Sequence, residues 1–277
     1  MRGRLVVCPT PIGNLEDVTL RVLAALRAAD LVACEDTRHT RKLLDRYGVT
    51  GALVSYHEHN ERERAAELVA RMRSGAVVAL VSDSGMPLVS DPGFILVQAC
   101  IAAGLSVEVL PGPSSALAAL VASGLPADRW RFVGFLPRKK AELERLLVGT
   151  PETLVAFESP KRLTATLALL AGSDPGRPVA VCRELTKLHE EVRRGSAAEI
   201  AGHYQSEPPR GEVVLVVAAA PPGAQPDTRE RAIAALRALV AAGARPRPAA
   251  KVLSELTGVP ANALYRALTE SPAERSS

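Results

Sequence analysis

GAVVALVSDSGMPLVSDPG, residues 75–93, is the stretch of the chain that decides the fold. Its small and branched apolar residues, from Gly75 to Leu80, are typical of a strand buried in a parallel sheet. The run then breaks into serine, aspartate, glycine and proline, at the end of the strand where open α/β sheets bind ligands. It contains neither a Walker loop nor a Gly-x-Gly-x-x-Gly fingerprint, so an ordinary nucleoside triphosphate or dinucleotide is not the predicted ligand.

Apolar runs alternate with helical periodicity on both sides of this stretch, which predicts helix-covered α/β sheets. Strands are predicted at 4–8, 31–34, 76–81, 107–110, 131–135, 153–157, 178–182 and 213–217. Helices are predicted at 18–29, 62–73, 94–103, 114–123, 138–148, 160–171 and 196–203. The pattern restarts after the Pro-Gly-Pro at 111–113, so we expect an N-terminal α/β domain over 1–112 and a C-terminal one over 113–220.

A linker and a helical tail are predicted after the second domain. Residues 221–228 are rich in proline and predict a linker, and 229–277 predict the tail. Within the tail, AAKVLSELTGVPANALYRALTE (249–270) has helix, a Thr-Gly-Val turn and a second helical segment from Asn262, the spacing of a helix-turn-helix. The segment is either a nucleic-acid-binding helix pair or a plain helical hairpin that caps the domain.

Composition narrows the class of protein. Of 277 residues, 47% are hydrophobic and 23% are charged, and no uncharged apolar run is long enough to span a bilayer. The N-terminal apolar run is shorter than that of a signal peptide, so we expect a soluble, cytoplasmic protein. The four cysteines lack the paired spacing of zinc or disulfide sites and are predicted to be small core residues.

Charge and aromatic content bear on the partner. The net charge of +4 and the isoelectric point near 9.0 favour an anionic partner. Only 3% of the residues are aromatic, which argues against a stacking platform for single-stranded bases. Any RNA binding would therefore rest on arginine, backbone and shape.

Four loops that follow the predicted strands of the first domain carry polar residues, glycine and proline. They are residues 9–14, 35–39, 82–93 and 111–115. Because the carboxyl ends of parallel strands meet at one edge of a sheet, we expect these loops to converge. Asp36, Arg38 and Asp83 supply charge there. Any one loop alone is better explained as a tight turn or a helix N-cap, whereas the agreement among four of them favours a ligand site.

The second domain has two charged segments at predicted strand ends, 157–162 and 183–187. Glu158 and Glu184 either pair with neighbouring basic side chains on the surface or take part in a site, and the sequence leaves both readings open. His57 and His59 lack a third ligand of suitable spacing, so no metal site is predicted. No nucleophile elbow occurs, so covalent catalysis is not indicated.

Seven motifs occur in an order and spacing that resemble one family. They are PTPIGN (9–14), EDTRHT (35–40), SDSGMP (82–87) with DPG (91–93), PGPSS (111–115), GFLP (134–137), ESPKR (158–162) and RELTK (183–187). Together with the C-terminal KVLSELTGVPANALYRAL (251–268), they resemble the family of small-subunit ribosomal RNA methyltransferase I proteins. These are 2′-O-ribose cytidine methyltransferases within the tetrapyrrole methylase superfamily, and the resemblance covers nearly the whole chain.

The resemblance implies two α/β domains with S-adenosylmethionine folded into the cleft between them. The residues that it implies as cofactor contacts are Pro11, Asp83, Gly85, Met86, Pro87, Val89, Ser114, Ser115 and Phe157. Met86 stands where the family usually has threonine, so a hydroxyl contact is lost there while backbone contacts would remain.

Methyl transfer to a ribose hydroxyl requires alignment of nucleophile and methyl and removal of one proton. We expect Asp36 or Lys187 to accept that proton. The residues expected to contact the substrate are Asn14, Thr37, Arg38, Glu158, Arg162 and Arg183. The expected partner is small-subunit ribosomal RNA or the assembled small subunit, no metal is required, and the resemblance implies a homodimer.

Two alternatives stay open on the sequence. One is methylation of a tetrapyrrole carbon, as in corrin biosynthesis, which would not need the basic balance, the arginine-bearing loops or the tail. The other is an RNA-binding module without turnover. Binding of S-adenosylmethionine and methyl transfer to ribosomal subunits distinguish these possibilities.

Overall fold

The structure is a computed structural model that describes residues 3–221 and 228–269. The chain divides into two compact units. The larger unit is formed by Met1–Leu147 and Glu152–Ala218, and the smaller, called the tail unit below, by Val148–Pro151 and Ala219–Ser277. The larger unit contains two five-stranded sheets.

The first sheet is entirely parallel, in the order β3-β2-β4-β1-β5. Its strands are β1 (Arg4–Cys8), β2 (Leu31–Cys34), β3 (Leu53–Ser55), β4 (Val77–Val81) and β5 (Ser106–Val109). A 3-10 turn (Leu15–Asp17) and the helices α1 (Leu20–Ala28), α2 (Thr37–Arg46), α3 (Glu61–Arg73) and α4 (Phe94–Ala102) connect them. The parallel order brings the carboxyl ends of all five strands to one edge.

The second sheet is mixed, in the order β6-β7-β10-β8-β9. Its strands are β6 (Trp130–Phe135), β7 (Thr153–Glu158), β8 (Pro178–Arg183), β9 (Glu191–Ser196) and β10 (Val213–Val217), and its helices are α5 (Ser115–Ser123), α6 (Lys140–Gly149), α7 (Pro160–Ser173) and α8 (Ala197–Ser206). Because β10 runs antiparallel to both β7 and β8, those two strands end at the same edge. The charged segments that follow them therefore share that edge, as the sequence predicts.

The two sheets are joined at their cores. The apolar cluster on one face of the second sheet contains Val155, Ala180 and Val214, and it is covered by Ala119 of α5. Ile12, which follows β1 of the first sheet, is buried in the same cluster. Burying this side chain stabilises the contact between the sheets by about 1.5–3 kcal/mol.

The sequence did not predict three of the elements in the structure. Residues 35–39 were expected to form a loop, but Thr37 begins α2, whose N-cap is Asp36. The short edge strands β3 and β9 were not predicted at all, and β9 (EVRRGS) lacks the apolar run of a buried strand. The four cysteines are buried and unpaired, which confirms them as core residues.

The tail unit contains three helices: α9 (Thr228–Ala241), α10 (Pro246–Thr257) and α11 (Ala261–Thr269). The helix, turn and helix predicted over 249–270 correspond to α10, a turn at Gly258 and α11. Residues 222–227 of the predicted linker and 270–277 of the predicted tail lie outside the described residues. Among the helices that the structure describes, none is long and apolar enough to cross a membrane.

Candidate active site

The loops after β1 and β4 are tied together by backbone hydrogen bonds. The Thr10 amide donates to the Gly85 carbonyl (2.9 Å), and the Gly85 amide donates to the Thr10 carbonyl (3.0 Å). The Thr10 hydroxyl donates to the Ser82 carbonyl (3.0 Å), and the Ser82 hydroxyl donates to the Gly85 carbonyl (2.9 Å). Because all four of these bonds use backbone groups of the buried residues Ser82 and Gly85, the turn is rigid without any charged side chain.

Gly85 is the residue on which this turn depends. Its φ of +82° lies in the left-handed region that only glycine enters without strain. A Cβ at this position would lie 3.2 Å from Cγ2 of Ile12. A larger residue would therefore both strain the turn and push against the side chain that joins the two sheets.

A cavity of about 460 Å³ lies beside this turn, between the two sheets. The size is that of an ordinary small-molecule site. Its first-sheet side is lined by Ile12, Ser84, Gly85, Met86, Val89, Ser90 and Asp91, and its other walls by Ser114, Ser115, Phe135, Phe157, Glu158, Ser159, Pro160, Cys182, Glu184, Leu185 and 211–214. Its lining is mostly apolar, with a few hydroxyl and carboxylate groups.

Aromatic rings form one wall of this cavity, which is called the larger cavity below. Phe157 packs edge to face against Phe132 and Phe135, with ring centroids 5.0 and 5.5 Å apart. Phe135 lines the cavity while 62% of its surface is exposed. An exposed phenyl group at the rim is suited to cover a ligand that fills the cavity.

Asp91 is a cavity carboxylate with a raised pKa. Partial burial, reinforced by the nearby Glu35 and Asp83 carboxylates, raises the pKa of Asp91 to about 6. Burial, together with the Asp83, Glu58 and Asp36 carboxylates, raises the pKa of Glu35 as well. A cation or a set of hydroxyl donors bound here would favour the ionised form of Asp91.

A smaller cavity of about 230 Å³ adjoins the larger one and shares Ile12, Ser84 and Glu212 with it. Its lining, unlike that of the larger cavity, includes cationic side chains beside polar and acidic ones. These charged and polar residues are Thr10, His39, Thr40, Lys42, Ser82, Asp83, Ser84, Lys187 and Glu212, and Pro11, Gly13, Leu15 and Leu43 complete the lining.

Lys187 is held in place by two carboxylates. Its ammonium lies 3.2 Å from Glu184 and 3.0 Å from Glu212. Burial opposes the charge, but the hydrogen bonds to Glu212 and Glu184 outweigh it, so the pKa of Lys187 is raised. Lys187 therefore stays an ammonium group at neutral pH.

The loop that carries Lys187 also touches the first-sheet loops. The Asn14 amide donates to the Thr186 hydroxyl (3.0 Å). A Cβ on Gly13 would lie 2.5 Å from Cγ of Lys187, so glycine is required for this approach. The positive φ values of Glu184 and Thr186 record a strained backbone in the same loop.

Asp36, Thr37 and Arg38 directly precede His39 and Thr40, which line the smaller cavity. The Asp36 amide donates to the Asp83 carboxylate (3.2 Å). The Asp36 carboxylate accepts from the Arg38 amide (2.8 Å) and from its guanidinium (3.2 Å). Hydrogen bonds from the Arg38 side chain and amide lower the pKa of Asp36.

Charged residues at the second-sheet edge are engaged in internal contacts. Glu158 is buried and accepts from the Ser159 amide (2.7 Å) and the Thr166 hydroxyl (2.8 Å). Arg162 donates to the carbonyls of 136 and 137 and lies 3.4 Å from Glu158. Arg183 pairs with the partly buried Glu191 (3.0 Å).

Ten of the seventeen expected site residues line one of the two cavities, and the other seven do not. Gly85, Met86, Val89, Ser114, Ser115, Phe157 and Glu158 line the larger cavity, and Pro11, Asp83 and Lys187 line the smaller one. Those that belong to the lining of neither are Asn14, Asp36, Thr37, Arg38, Pro87, Arg162 and Arg183. Sequence reasoning missed Asp91, although the second aspartate of SDSGMPLVSDPG marks it, and missed Glu212, which no local pattern marks.

Two further observations concern metals and thiols. Among the described side chains, no three His, Cys, Asp or Glu residues are arranged to hold a metal ion. His57 and His59 contact each other edge to face, with ring centroids 5.9 Å apart. Cys182 lines the larger cavity, where burial raises its pKa to about 11, so this thiol is a poor nucleophile.

Comparison with known proteins identifies this arrangement. Residues 4–201 match the family of tetrapyrrole (corrin/porphyrin) methylases. Ribosomal RNA small subunit methyltransferase I of Mesorhizobium japonicum is 47% identical over 96% of this chain and 91% of its own length. The protein of the same name from Thermotoga maritima is 42% identical over 78% of this chain and 98% of its own length.

Solved structures agree in fold. Uroporphyrin-III C-methyltransferase of Thermus thermophilus is 27% identical, with a TM-score of 0.57 over 78% of this chain and 94% of that one. A form of that enzyme complexed with S-adenosylhomocysteine is 23% identical, with a TM-score of 0.55 over 78% and 97%. The chain belongs to the tetrapyrrole methylase family and, within it, to the ribosomal RNA small subunit methyltransferase I family.

Proposed function

We propose that the protein uses S-adenosylmethionine to methylate the 2′-hydroxyl of a cytidine in small-subunit ribosomal RNA. The observation that carries the proposal is the pair of adjoining cavities. One is mostly apolar and large enough for a nucleoside cofactor, and the other holds an ammonium and a carboxylate. Their shared wall is where a methyl group and its acceptor would meet.

The residues of the larger cavity fit the proposed cofactor. Absence of a Cβ at Gly85 leaves room beside the turn, and the Ser114 and Ser115 hydroxyls stand at the start of α5. Phe157 offers a ring edge and Asp91 a carboxylate suited to cationic or hydroxyl groups. When bound, S-adenosylmethionine supplies an electrophilic methyl group. Pro11 and Asp83 line the adjoining smaller cavity, and Pro87 follows Met86 in the same loop as Gly85; we propose that these three hold the loops in place and do not contact the cofactor directly.

The smaller cavity is proposed to hold the acceptor ribose. Lys187, fixed as an ammonium, would stabilise negative charge that develops on the attacking oxygen. Asp83 lines the same cavity, and we propose that its carboxylate accepts the proton of the ribose hydroxyl. Asp36, which the sequence suggested for that role, would position Asp83 through its backbone amide.

The remaining expected substrate residues divide into two groups. Thr37 and Arg38, at the start of α2, and Asn14 are close in sequence to residues that line the smaller cavity and are proposed to meet RNA. Glu158, Arg162 and Arg183 are tied by hydrogen bonds to the second sheet. We propose that the buried Glu158 forms part of the wall of the larger cavity, and that Arg162 and Arg183, outside its lining, contact RNA only at its rim.

Methylation of a tetrapyrrole carbon is the second candidate, because solved structures with this fold carry that activity in their names. Lys42 and His39, which line the smaller cavity and form no ion pair with any described residue, favour a phosphate-bearing substrate instead. A binding module without turnover would have no use for a carboxylate and an ammonium beside a cofactor cavity.

We further propose, on the resemblance alone, that the protein is a cytoplasmic homodimer. Light scattering on the purified protein measures the subunit number.

Tritiated methyl transfer tests the proposal. The purified protein and labelled S-adenosylmethionine are incubated in parallel with small ribosomal subunits, with naked small-subunit RNA and with a precorrin. We expect label in RNA, at a cytidine ribose after nuclease digestion and chromatography. Label only in the precorrin would refute the RNA activity, and cofactor binding by calorimetry without any transfer would leave the non-catalytic module.

A further inference from the structure

The tail unit carries most of the excess positive charge of the chain. Residues 219–277 hold eight arginine or lysine residues against five acidic ones, whereas the whole chain holds 34 against 30. Three of the four net positive charges therefore belong to this C-terminal segment. A small, basic helical unit of this kind favours a polyanionic partner.

The helix pair in this unit has a fixed geometry. Leu236 of α9, Ala250 of α10 and Leu264 of α11 are buried in a common core. Gly258, with φ +73°, ends α10 by donating its amide to the Ser254 carbonyl (2.9 Å). Because this left-handed cap sets the direction in which the chain leaves α10, the relative placement of α10 and α11 is defined by packing and backbone together.

A basic face runs across this helix pair. Arg247 and Lys251 lie one turn apart on α10, and Arg245 is its N-cap; all three are exposed. The Arg247 guanidinium lies 5.5 Å from the centre of the Tyr265 ring on α11. With every described side chain considered, none of these three cations makes an ion pair. Their charge is available to a partner, and Tyr265 orients one of them.

We propose that this basic face, formed by Arg245, Arg247, Lys251 and Tyr265, binds the sugar-phosphate backbone of folded RNA. The inference rests on the proposed function, since it adds a second contact with the same class of substrate. Arginine and lysine on a helix face contact phosphates without reading bases. The deep, narrow major groove of an RNA helix excludes an inserted helix, so backbone contact is the mode open to this unit.

The sequence of α11 supports backbone contact over base readout in B-form DNA. The helix is nine residues long and contains three alanines, at 261, 263 and 267. A recognition helix in the major groove of DNA needs several side chains that reach base edges. The charge of this unit is concentrated instead at the start of α10, where phosphates also meet the helix dipole.

Fluorescence anisotropy on the full-length protein tests the inference. The probe is a labelled transcript of folded small-subunit ribosomal RNA, titrated at several salt concentrations. We expect the combined substitution Arg245→Ala, Arg247→Ala and Lys251→Ala to weaken RNA binding about 10- to 50-fold at low salt. The slope of log affinity against log salt should fall by about two to three, since each phosphate contact accounts for about one.

Matched variants separate this effect from loss of folding or of net charge. Arg46→Ala, Arg73→Ala and Arg145→Ala remove three exposed arginines from the larger unit, and we expect a change in affinity of less than about threefold. Arg245→Lys with Arg247→Lys keeps the charge and should retain most of the salt slope. Thermal unfolding of each variant should match the unsubstituted protein.

The outcomes distinguish this inference from the proposed function. If the tail variant binds RNA as tightly and with the same salt slope as the unsubstituted protein, while methyl transfer to ribosomal subunits persists, the basic face is not an RNA site and the proposed function stands. Equal affinity for a B-form DNA duplex of the same length would overturn the assignment to RNA. Absence of methyl transfer in the unsubstituted protein would instead refute the proposed function.

The expected kinetic result is specific to a substrate-docking role. The tail variant should raise KM for the RNA substrate and leave kcat at saturating RNA, and the affinity for S-adenosylmethionine, within about twofold. A fall in kcat with KM unchanged would contradict docking.

Discussion

The two sheet edges that meet at the site are built in different ways. At the first edge, the turn around Gly85 is held by backbone hydrogen bonds and by the absence of a side chain. At the second edge, Lys187 is held by Glu184 and Glu212. Backbone contacts tolerate most substitutions except at glycine, whereas ion pairs respond to charge, salt and pH. The first edge is therefore suited to shape a cofactor cavity and the second to handle charge.

Substitution of Gly85 should have the largest effect, because the first edge depends on backbone shape. Gly85→Val forces a branched residue to φ +82° and places its Cβ 3.2 Å from Ile12. We expect at least about a 100-fold loss of affinity for S-adenosylmethionine by calorimetry, given backbone strain of about 1–3 kcal/mol plus the steric conflict in the cavity.

Gly104→Val is the matched control, since Gly104 also has a positive φ, +66°, but a Cβ there meets nothing within 4 Å. Both variants should lose stability, and only Gly85→Val should lose cofactor affinity. Similar affinities in the two variants would mean that the turn does not shape the cofactor cavity.

Substitution of Asp91 tests whether a charged side chain at the first edge contributes to cofactor binding. If its carboxylate holds the cofactor, Asp91→Asn should weaken binding about 10- to 30-fold, the range for one charge-assisted hydrogen bond. In the unsubstituted protein, affinity should rise as pH increases through about 6, where Asp91 ionises, and the variant should lack this rise. Asp83→Asn, a neighbouring carboxylate outside the larger cavity, should leave cofactor affinity within about threefold.

The same substitution should change stability in the opposite direction. The folded-state pKa of about 6 lies above the ordinary 3.8, so the folded protein holds this proton more tightly and loses stability as pH rises from about 4 to 6. Asp91→Asn removes that loss. We expect a gain of about 1–2 kcal/mol at pH 7, after allowance for solvent screening of a half-buried group, measured by denaturant unfolding at pH 4 and pH 7.

The first edge could be predicted from sequence more completely than the second. Apolar runs that end in Gly, Pro, Ser and Asp locate the first-sheet loops because both strand burial and turn chemistry are local. The pairing of Lys187 with Glu212 depends on β10 entering between β7 and β8, an order that no local pattern specifies. The helix α2 was missed because its sequence, TRHTRKLLDR, is polar and its start depends on the Asp36 cap.

Substitution of Lys187 tests the role of charge at the second edge. Lys187→Gln removes the ammonium that pairs with Glu184 and Glu212, so we expect kcat/KM for RNA methylation to fall about 10-fold. Affinity for S-adenosylmethionine should stay within about twofold. Lys139→Gln is the control, because Lys139 is also ion-paired, with Glu142, but lines neither cavity. A loss of cofactor affinity equal to the loss of activity would erase the distinction between the two edges.

Met86 should give the smallest effect, because its turn relies on backbone and not on the side chain. Met86 lines the larger cavity, and the hydrogen bonds of the turn run through Thr10, Ser82 and Gly85. Met86→Thr adds the hydroxyl that the family usually has, so we expect cofactor affinity and methyl transfer to change by less than about threefold, since a partly exposed hydroxyl contributes little net free energy. A rise of 10-fold or more in affinity would show that a side-chain hydrogen bond matters at this edge, and the backbone account of the turn would then be incomplete.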